Sequence, residues 1–387
     1  MKAGERIVIV GGGAAAAATV EAYRRHGGRA SIVMLCGEAD PPYERPPLSK
    51  EFVRGESARE ELPLHPPAWY SERAVDLRLG VRATTLHPGR GEIETDDGAP
   101  VGYDACVIAA GSRPRLPGFV SPGMEHVSTI REIADAELLR DRAPRDQRLV
   151  VVGSGFIGCE AAISLARTGA KVSLLTMEPL PQLGRLGEDA ARRIRDWLER
   201  EGVGLECEAE LERIEAGGQG VVVTAGRVEL TAAHALLALG IQRNVELARE
   251  AGLDLLDDAI CTDSTMRTSE PSVLAAGDVA AALNASAGRR LKVEHWGEAL
   301  NHGSAAGATL AGIDEPWGAA PGFWSSLGDR QLKQVAWGDG FDVARLEELG
   351  DEAFTVSYER DGELVGLLAH EADEAYEAAR ESMEAPE

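Results

Sequence analysis

The chain has 387 residues, 44% of them hydrophobic, and a formal net charge of −24. At the usual ~100 to 200 residues per domain it is long enough for two or three cores. So acidic a balance argues against a nucleic-acid partner, because a phosphate backbone requires clustered Lys and Arg.

Nor does any run of about 18 uncharged apolar residues suggest a membrane span. An apolar strand begins at Ile7, so no leader is expected and the chain reads as cytoplasmic. Five cysteines, Cys36, Cys106, Cys159, Cys207 and Cys261, are scattered without a C-x-x-C pair. Structural thiols are expected, with neither a disulfide framework nor a metal site. From residue 346 onward 14 acidic residues face 2 basic ones, read here as a solvated surface.

In chain order, residues 7–35 combine an apolar strand, a glycine-rich turn, an Ala-rich helix and a second apolar strand, the pattern of a βαβ unit. Residues 104–111 (DACVIAAG) form a buried strand, and the Pro-punctuated residues 113–122 a crossover linker. Residues 149–175 (LVVVGSGFIGCEAAISLARTGAKVSLL) repeat the βαβ pattern. Residues 234–240 and 273–278 are further short strands. After about Pro316 a Trp- and Gly-rich loop leads to alternating strands around Asp361-Gly362, then a helix from about Ala372. The fold class is α/β: two Rossmann-like dinucleotide-binding units and a small α+β C-terminal domain.

A dinucleotide needs a backbone that can approach its pyrophosphate without an intervening Cβ, at a helix N-terminus whose dipole favours anions. Gly11, Gly13 and Ala16 supply G-x-G-x-x-A after the first strand, and Gly153, Gly155 and Gly158 the full G-x-G-x-x-G after the later one. Glu38 follows the second strand as a candidate ribose acceptor. Two such sites in one chain imply electron traffic between two dinucleotides. The glycines alone do not say which site holds which.

Four stretches narrow the reading: PPYERPPLSK (41–50), VLAAGDVA (273–280), VEHWGEALNHG (293–303) and GFWSS (322–326). In that order the chain closely resembles the FAD-dependent ferredoxin reductases of oxygenase and cytochrome P450 electron-transfer chains, and more distantly the apoptosis-inducing-factor flavoproteins. The resemblance implies an FAD domain (1–112 and 240–315) interrupted by an NAD(P)H domain (113–239), then an interface domain (316–387). It implies that Gly11, Gly13 and Ala16 hold the FAD pyrophosphate, that Arg45 and Lys50 lie along the flavin, and that Asp278 accepts from the ribityl chain. Glu294, His295 and Trp296 would border the isoalloxazine, and Trp324 would stand where nicotinamide meets flavin. Gly153, Gly155 and Gly158 would cradle NAD(P)H, with Ile157, Thr176 and Glu178 beside it. Ala110, Gly111, Arg113, Gly240 and Gly277 complete the implied cofactor contacts. The activity implied is hydride transfer from NAD(P)H, with single electrons passed to an iron–sulfur ferredoxin.

The chain departs from the family in three places. Thr176 stands where NADH-preferring members usually carry Glu, with Glu178 two residues on, and Leu180 replaces a basic residue. The family's FWSDQ becomes FWSSLGDRQ, which puts the surroundings of Trp324 in question. NADH is nonetheless expected over NADPH, because no guanidinium follows the strand and Glu178 would repel a 2′-phosphate. Two alternatives stay open. A related NADH oxidase or disulfide reductase needs a redox cysteine against the flavin, for which Cys36 is the nearest candidate. An apoptosis-inducing-factor-like protein would respond to the nucleotide by changing assembly.

Two further expectations concern charge. Arg289, Arg290 and Lys292 lie together before the EHW stretch and form a candidate basic patch for the acceptor. Lys50, one of 5 lysines against 35 arginines, is expected to pair with Glu160 beside the flavin.

Overall fold

The computed structural model describes residues 4–143, 145–350 and 352–384. The first βαβ unit opens a five-stranded parallel sheet in the order Val273–Ala275, Ala105–Ile108, Arg6–Val10, Ser31–Cys36 and Val75–Leu79. The central strands are almost continuously apolar because both faces of the sheet are covered, one by the helices Ala14–Arg25 and Trp296–Ala311 and the other chiefly by the meander 83–102, which leaves no solvent side. The Ala-rich run of the helix Ala14–Arg25 also has a packing reason. A Cβ on Gly303 would lie 2.3 Å from the Ala15 carbonyl oxygen, and one on Gly307 2.5 Å from that of Thr19. The helix Trp296–Ala311 therefore packs backbone to backbone against the first helix, and only small residues fit between.

The second βαβ unit builds another five-stranded parallel sheet, ordered Gly204–Glu206, Lys171–Leu175, Arg148–Val152, His234–Leu237 and Val127–Ser128. The chain leaves the first sheet through Ser112–Pro114 and returns through Ile241–Arg243, and these strands pair antiparallel as a two-stranded strap. Three-stranded antiparallel meanders, 83–102 and 211–232, flank the two sheets and have no clear signature in the sequence pattern.

The C-terminal part is a five-stranded antiparallel sheet closed by the helix Asp373–Glu384. The expected hairpin is present: Ala353–Arg360 pairs with Glu363–His370 through a turn in which Asp361 and Gly362 have positive φ. The stretch read as a loop holds strands as well. Gly322–Leu327 and Arg330–Ala336 form a regular hairpin with Leu327 opposite Arg330. The residues of FWSSLGDRQ that depart from the family pattern are thus its tight turn, and the strand bearing Trp324 is regular. Among the described residues no helix is long and apolar enough to cross a membrane.

Candidate active site

A cleft of about 1550 Å³ runs between the two parallel sheets, floored by both glycine turns and closed on one side by the C-terminal sheet. The glycines divide into two jobs. Gly11 (φ +130°) and Gly153 (φ +105°) turn where a Cβ would meet a carbonyl oxygen, that of Ala109 at 2.1 Å and that of Ala238 at 2.3 Å. Gly13 and Gly155 instead cap their helices in extended conformation, without a side-chain cap, and a Cβ on either would meet nothing within 4 Å. First-turn N–H groups thus face open space at both helix N-termini, a geometry that fits a pyrophosphate at each. Ala16 is fully buried, whereas a Cβ on Gly158 would lie 1.9 Å from the Gly153 oxygen. The second helix sits closer to its turn than the first.

Around the first turn the carboxylates are already engaged. Glu38 accepts from Tyr43 Oη at 2.5 Å and Arg45 Nη2 at 2.5 Å, and Arg45 also donates to the Arg131 carbonyl at 2.6 Å. Asp278 accepts from Ser112 Oγ at 2.7 Å and from Arg131 Nη2 at 3.3 Å. The Asp278 backbone oxygen receives Arg243 Nε at 2.7 Å. Arg243, buried in the returning strap strand, also donates to Glu294 at 2.5 Å and to both oxygens of Asp258 at 3.0 and 3.1 Å. Arg113 turns toward Asn244 and Glu246, at 2.6 Å each. Ala110 accepts from Asn244 Nδ2 at 2.9 Å, and Gly111, Gly240 and Gly277 are left-handed turn residues on the cleft wall.

Four aromatic or cationic groups form a continuous stack across the three parts of the molecule. His295 stacks on Phe323 at 4.7 Å, Phe323 packs on Phe156 at 4.4 Å, and the Arg185 guanidinium lies 5.5 Å from the Phe156 ring centre. Burial, and then the Arg185 charge, push His295 down to about 4, with Asp278 opposing. The imidazole is therefore neutral near pH 7. Trp296 lies beside it on the cleft wall, and Trp324 and Ile157, each 45% exposed, project from opposite sides. On the second-sheet side Thr176 shares a hydrogen bond with Ser154 at 2.8 Å, and Glu178 accepts from the Gly184 N–H at 2.8 Å.

The ion pair expected between Lys50 and Glu160 is present, with Nζ and Oε2 3.0 Å apart and both side chains buried. Glu160 has further donors. Ser49 Oγ reaches the same oxygen at 2.6 Å, while Ser325 Oγ at 2.8 Å and the Ser326 N–H at 3.3 Å reach the other. Isolated burial of a carboxylate would be costly, and here every lone-pair direction has a partner.

The expected basic patch is not one. Arg289 is bonded to Asp339, and Lys292 lies 3.0 Å from Asp257 and 3.8 Å from Asp258. Arg290 is exposed and alone of the three has no ion pair among the described residues. The strands that carry these residues run beside acidic loops, a pairing that local sequence cannot reveal.

Sequence reasoning also missed Arg131 and Arg243, which lie outside every motif, and Phe156, Ser49 and Ser325, which lie inside motifs without a stated role. No described cysteine lines the cleft. All five are free, and burial, followed by the nearby Glu38, pushes Cys36 up to about 12. That leaves the disulfide-reductase alternative without a nucleophile in the cleft.

The chain matches the family described as pyridine nucleotide-disulphide oxidoreductase over residues 5–303. It is 33% identical over 341 residues to the anthranilate 1,2-dioxygenase system ferredoxin--NAD(+) reductase component of Burkholderia cepacia, covering 86% of this chain and 82% of that protein. It is 31% identical to the benzene 1,2-dioxygenase system ferredoxin--NAD(+) reductase subunit of Pseudomonas putida, covering 98% of this chain and 92% of that one. Its fold superposes with a TM-score of 0.93 on the reductase of a covalent putidaredoxin reductase–putidaredoxin complex, at 27% identity, covering 99% of this chain and 93% of that one.

Proposed function

The chain belongs to the pyridine nucleotide-disulphide oxidoreductase family, and from that premise we propose that it is an FAD-dependent NAD(P)H:ferredoxin oxidoreductase. The observation that carries this reading is one cleft that joins both glycine turns and holds a buried Lys–Glu pair and Trp324 between them. FAD, when bound, takes a hydride from NAD(P)H and releases its electrons singly, the conversion a one-electron iron–sulfur acceptor needs.

In this assignment the parts 1–112 and 240–315 hold FAD, 113–239 hold NAD(P)H, and 316–387 close the cleft. The strap that links the two parallel sheets supports that division. Gly13 and the first helix receive the FAD pyrophosphate, and Asp278, oriented by Ser112 and Arg131, accepts ribityl hydroxyls. Gly155 and the second helix receive the pyrophosphate of NAD(P)H. Lys50 supplies fixed positive charge beside the flavin, Trp324 and Phe156 exclude water where the rings meet, and neutral His295 adds no charge there.

Stopped-flow mixing with NADH tests the reading. Flavin bleaching on a catalytic timescale, followed by reduction of a ferredoxin-type carrier, is the expected result. A protein that binds NADH but reduces no one-electron acceptor would instead fit the nucleotide-responsive alternative.

NADH is the preferred donor in this reading. Thr176 is tied to Ser154, Glu178 presents a carboxylate where a 2′-phosphate would lie, and neither Thr176, Met177 nor Glu178 is cationic. We expect kcat/KM for NADH to exceed that for NADPH at least about tenfold. A ratio in favour of NADPH would remove Glu178 from nucleotide selection.

Electron delivery is expected to depend little on salt. Arg289 and Lys292 are already paired within the chain, so they offer a partner little net charge. Shortening the Debye length from about 10 Å at 0.1 M to about 3 Å at 1 M salt should change the acceptor-reduction rate less than about twofold. A fall of tenfold over that range would mean that another charged surface steers docking.

A further inference from the structure

The C-terminal strand Gly322–Leu327 points successive side chains to opposite faces, and the alternation separates two neighbours sharply. Trp324 is 45% exposed in the cleft, whereas Ser325 is 1% exposed and donates to Glu160. One short strand thus carries both the ring that faces the nucleotide and the hydroxyl that holds the carboxylate of the Lys50–Glu160 pair.

We propose that Ser325 is a positioning residue for hydride transfer: its hydroxyl fixes the Glu160 carboxylate, and through it the Lys50 ammonium, in register with Trp324. The proposal rests on the reading above, in which Lys50 and Trp324 flank the meeting point of the two rings.

Glu160 gathers donors from two separate segments. One carboxylate oxygen takes Ser49 and Lys50 from the segment after the first βαβ unit, and the other takes Ser325 and the Ser326 N–H from the C-terminal sheet. Glu160 itself belongs to the second βαβ unit, on the helix Phe156–Arg167. The carboxylate is therefore a second point, beside the His295–Phe323–Phe156 stack, at which all three parts of the chain meet. Without the Ser325 hydroxyl, the second oxygen keeps only the 3.3 Å contact from Ser326, at the weak end of the range for an N–H donor. Its hold on the C-terminal strand is then reduced to that single weak contact, while its hold on Lys50 remains.

A second attachment exists at the turn of the same hairpin. Arg167 donates to both oxygens of Asp329 at 2.8 and 3.0 Å, and to both oxygens of Glu201 at 2.8 and 2.9 Å. Asp329 is 88% exposed, however, and exposed ion pairs are weak and screened by salt. Other contacts, among them Tyr358 Oη to the Leu186 carbonyl at 2.9 Å and Phe323 on Phe156, hold the C-terminal sheet as a whole. The Ser325 hydroxyl makes the buried hydrogen bond that ties the residue next to Trp324 to the partner of Lys50, where the low dielectric strengthens it.

The test is a double-mutant cycle on FAD-loaded full-length protein, read by anaerobic stopped-flow reduction with NADH. Wild type, S325A, E160A and the double variant are compared, with D329A as a control for the outer attachment. FAD content, NADH affinity and flavin midpoint potential are measured on each. Ser325→Ala should slow flavin reduction about three- to tenfold at unchanged FAD content, and should cost nothing further in the E160A background, where the hydroxyl has lost its acceptor. Asp329→Ala should stay within about twofold of wild type. Reduction by S325A within about 1.5-fold of wild type would overturn the proposal, as would an equal loss in the E160A background, since either outcome means that Ser325 does not act through Glu160. Loss of FAD from S325A would overturn it too, by assigning the hydroxyl to cofactor retention. Failure of the functional reading looks different: wild type itself would then not reduce its flavin with NADH, or Lys50→Met would not slow it.

Discussion

Lys50→Met is expected to lower the rate constant of flavin reduction by NADH at least about tenfold, equivalent to roughly 1.4 kcal/mol of barrier, while FAD stays bound. A hydride arriving at the ring system leaves negative charge that a fixed nearby cation stabilises, most strongly where water is excluded. The Lys50 ammonium is buried and held 3.0 Å from Glu160, so its position is set before any ligand arrives. Met keeps similar bulk and removes the charge. Breaking a buried ion pair commonly costs about 3 to 5 kcal/mol because the remaining charge is orphaned. Here Glu160 retains Ser49, Ser325 and the Ser326 N–H as donors, so the fold should tolerate the change and the rate should report the charge. The flavin midpoint potential should fall in parallel. Glu160→Ala is the companion variant, expected to free Lys50 and disturb nicotinamide placement. Reduction rates within about twofold of wild type in both variants would make the pair a structural feature only.

Gly158→Val should raise KM for NADH at least about tenfold and leave FAD content unchanged, because it strikes one of the two glycine turns and spares the other. The Cβ would lie 1.9 Å from the Gly153 carbonyl oxygen, a backbone atom that cannot swing aside. The helix Phe156–Arg167 would have to withdraw from its strand, carrying its first-turn N–H groups away from the place proposed for the pyrophosphate. The two branching methyls add overpacking of about 1 to 3 kcal/mol in a buried position. The first turn is unaffected, since its equivalent position is already Ala16. A KM within threefold of wild type would mean that this helix N-terminus does not bind the nucleotide. Loss of FAD instead would reverse the assignment of the two turns.

Much of this was legible in the sequence because it rests on local rules. Both βαβ units follow from strand hydrophobicity and glycine spacing, and the C-terminal hairpin from alternation around Asp361-Gly362. What was not legible depends on elements far apart in the chain. Arg243 gains its meaning only when the strap brings it to Asp278, Asp258 and Glu294, none of which is its sequence neighbour. The basic patch failed for the same reason: three neighbouring cations look like a patch until Asp339 folds against Arg289, and Asp257 and Asp258 against Lys292. Ser325 had no signal of its own, because a serine in a strand is ordinary until a buried carboxylate is found opposite it. The strand holding Trp324 was read as a loop because its Gly, Trp and Ser residues carry little apolar alternation.

The strap of Ser112–Pro114 and Ile241–Arg243 also fixes an order of events during synthesis. Everything between its two strands is contiguous, so the second parallel sheet can close as soon as His234–Leu237 leaves the ribosome. The first sheet cannot. Its edge strand Val273–Ala275 and its covering helix Trp296–Ala311 come after the whole insertion, and until they arrive the helix Ala14–Arg25 has no partner for its alanine face. Contacts that span so much chain form late. The part that starts first is therefore expected to finish last, since its sheet is complete only when Val273–Ala275 has been made.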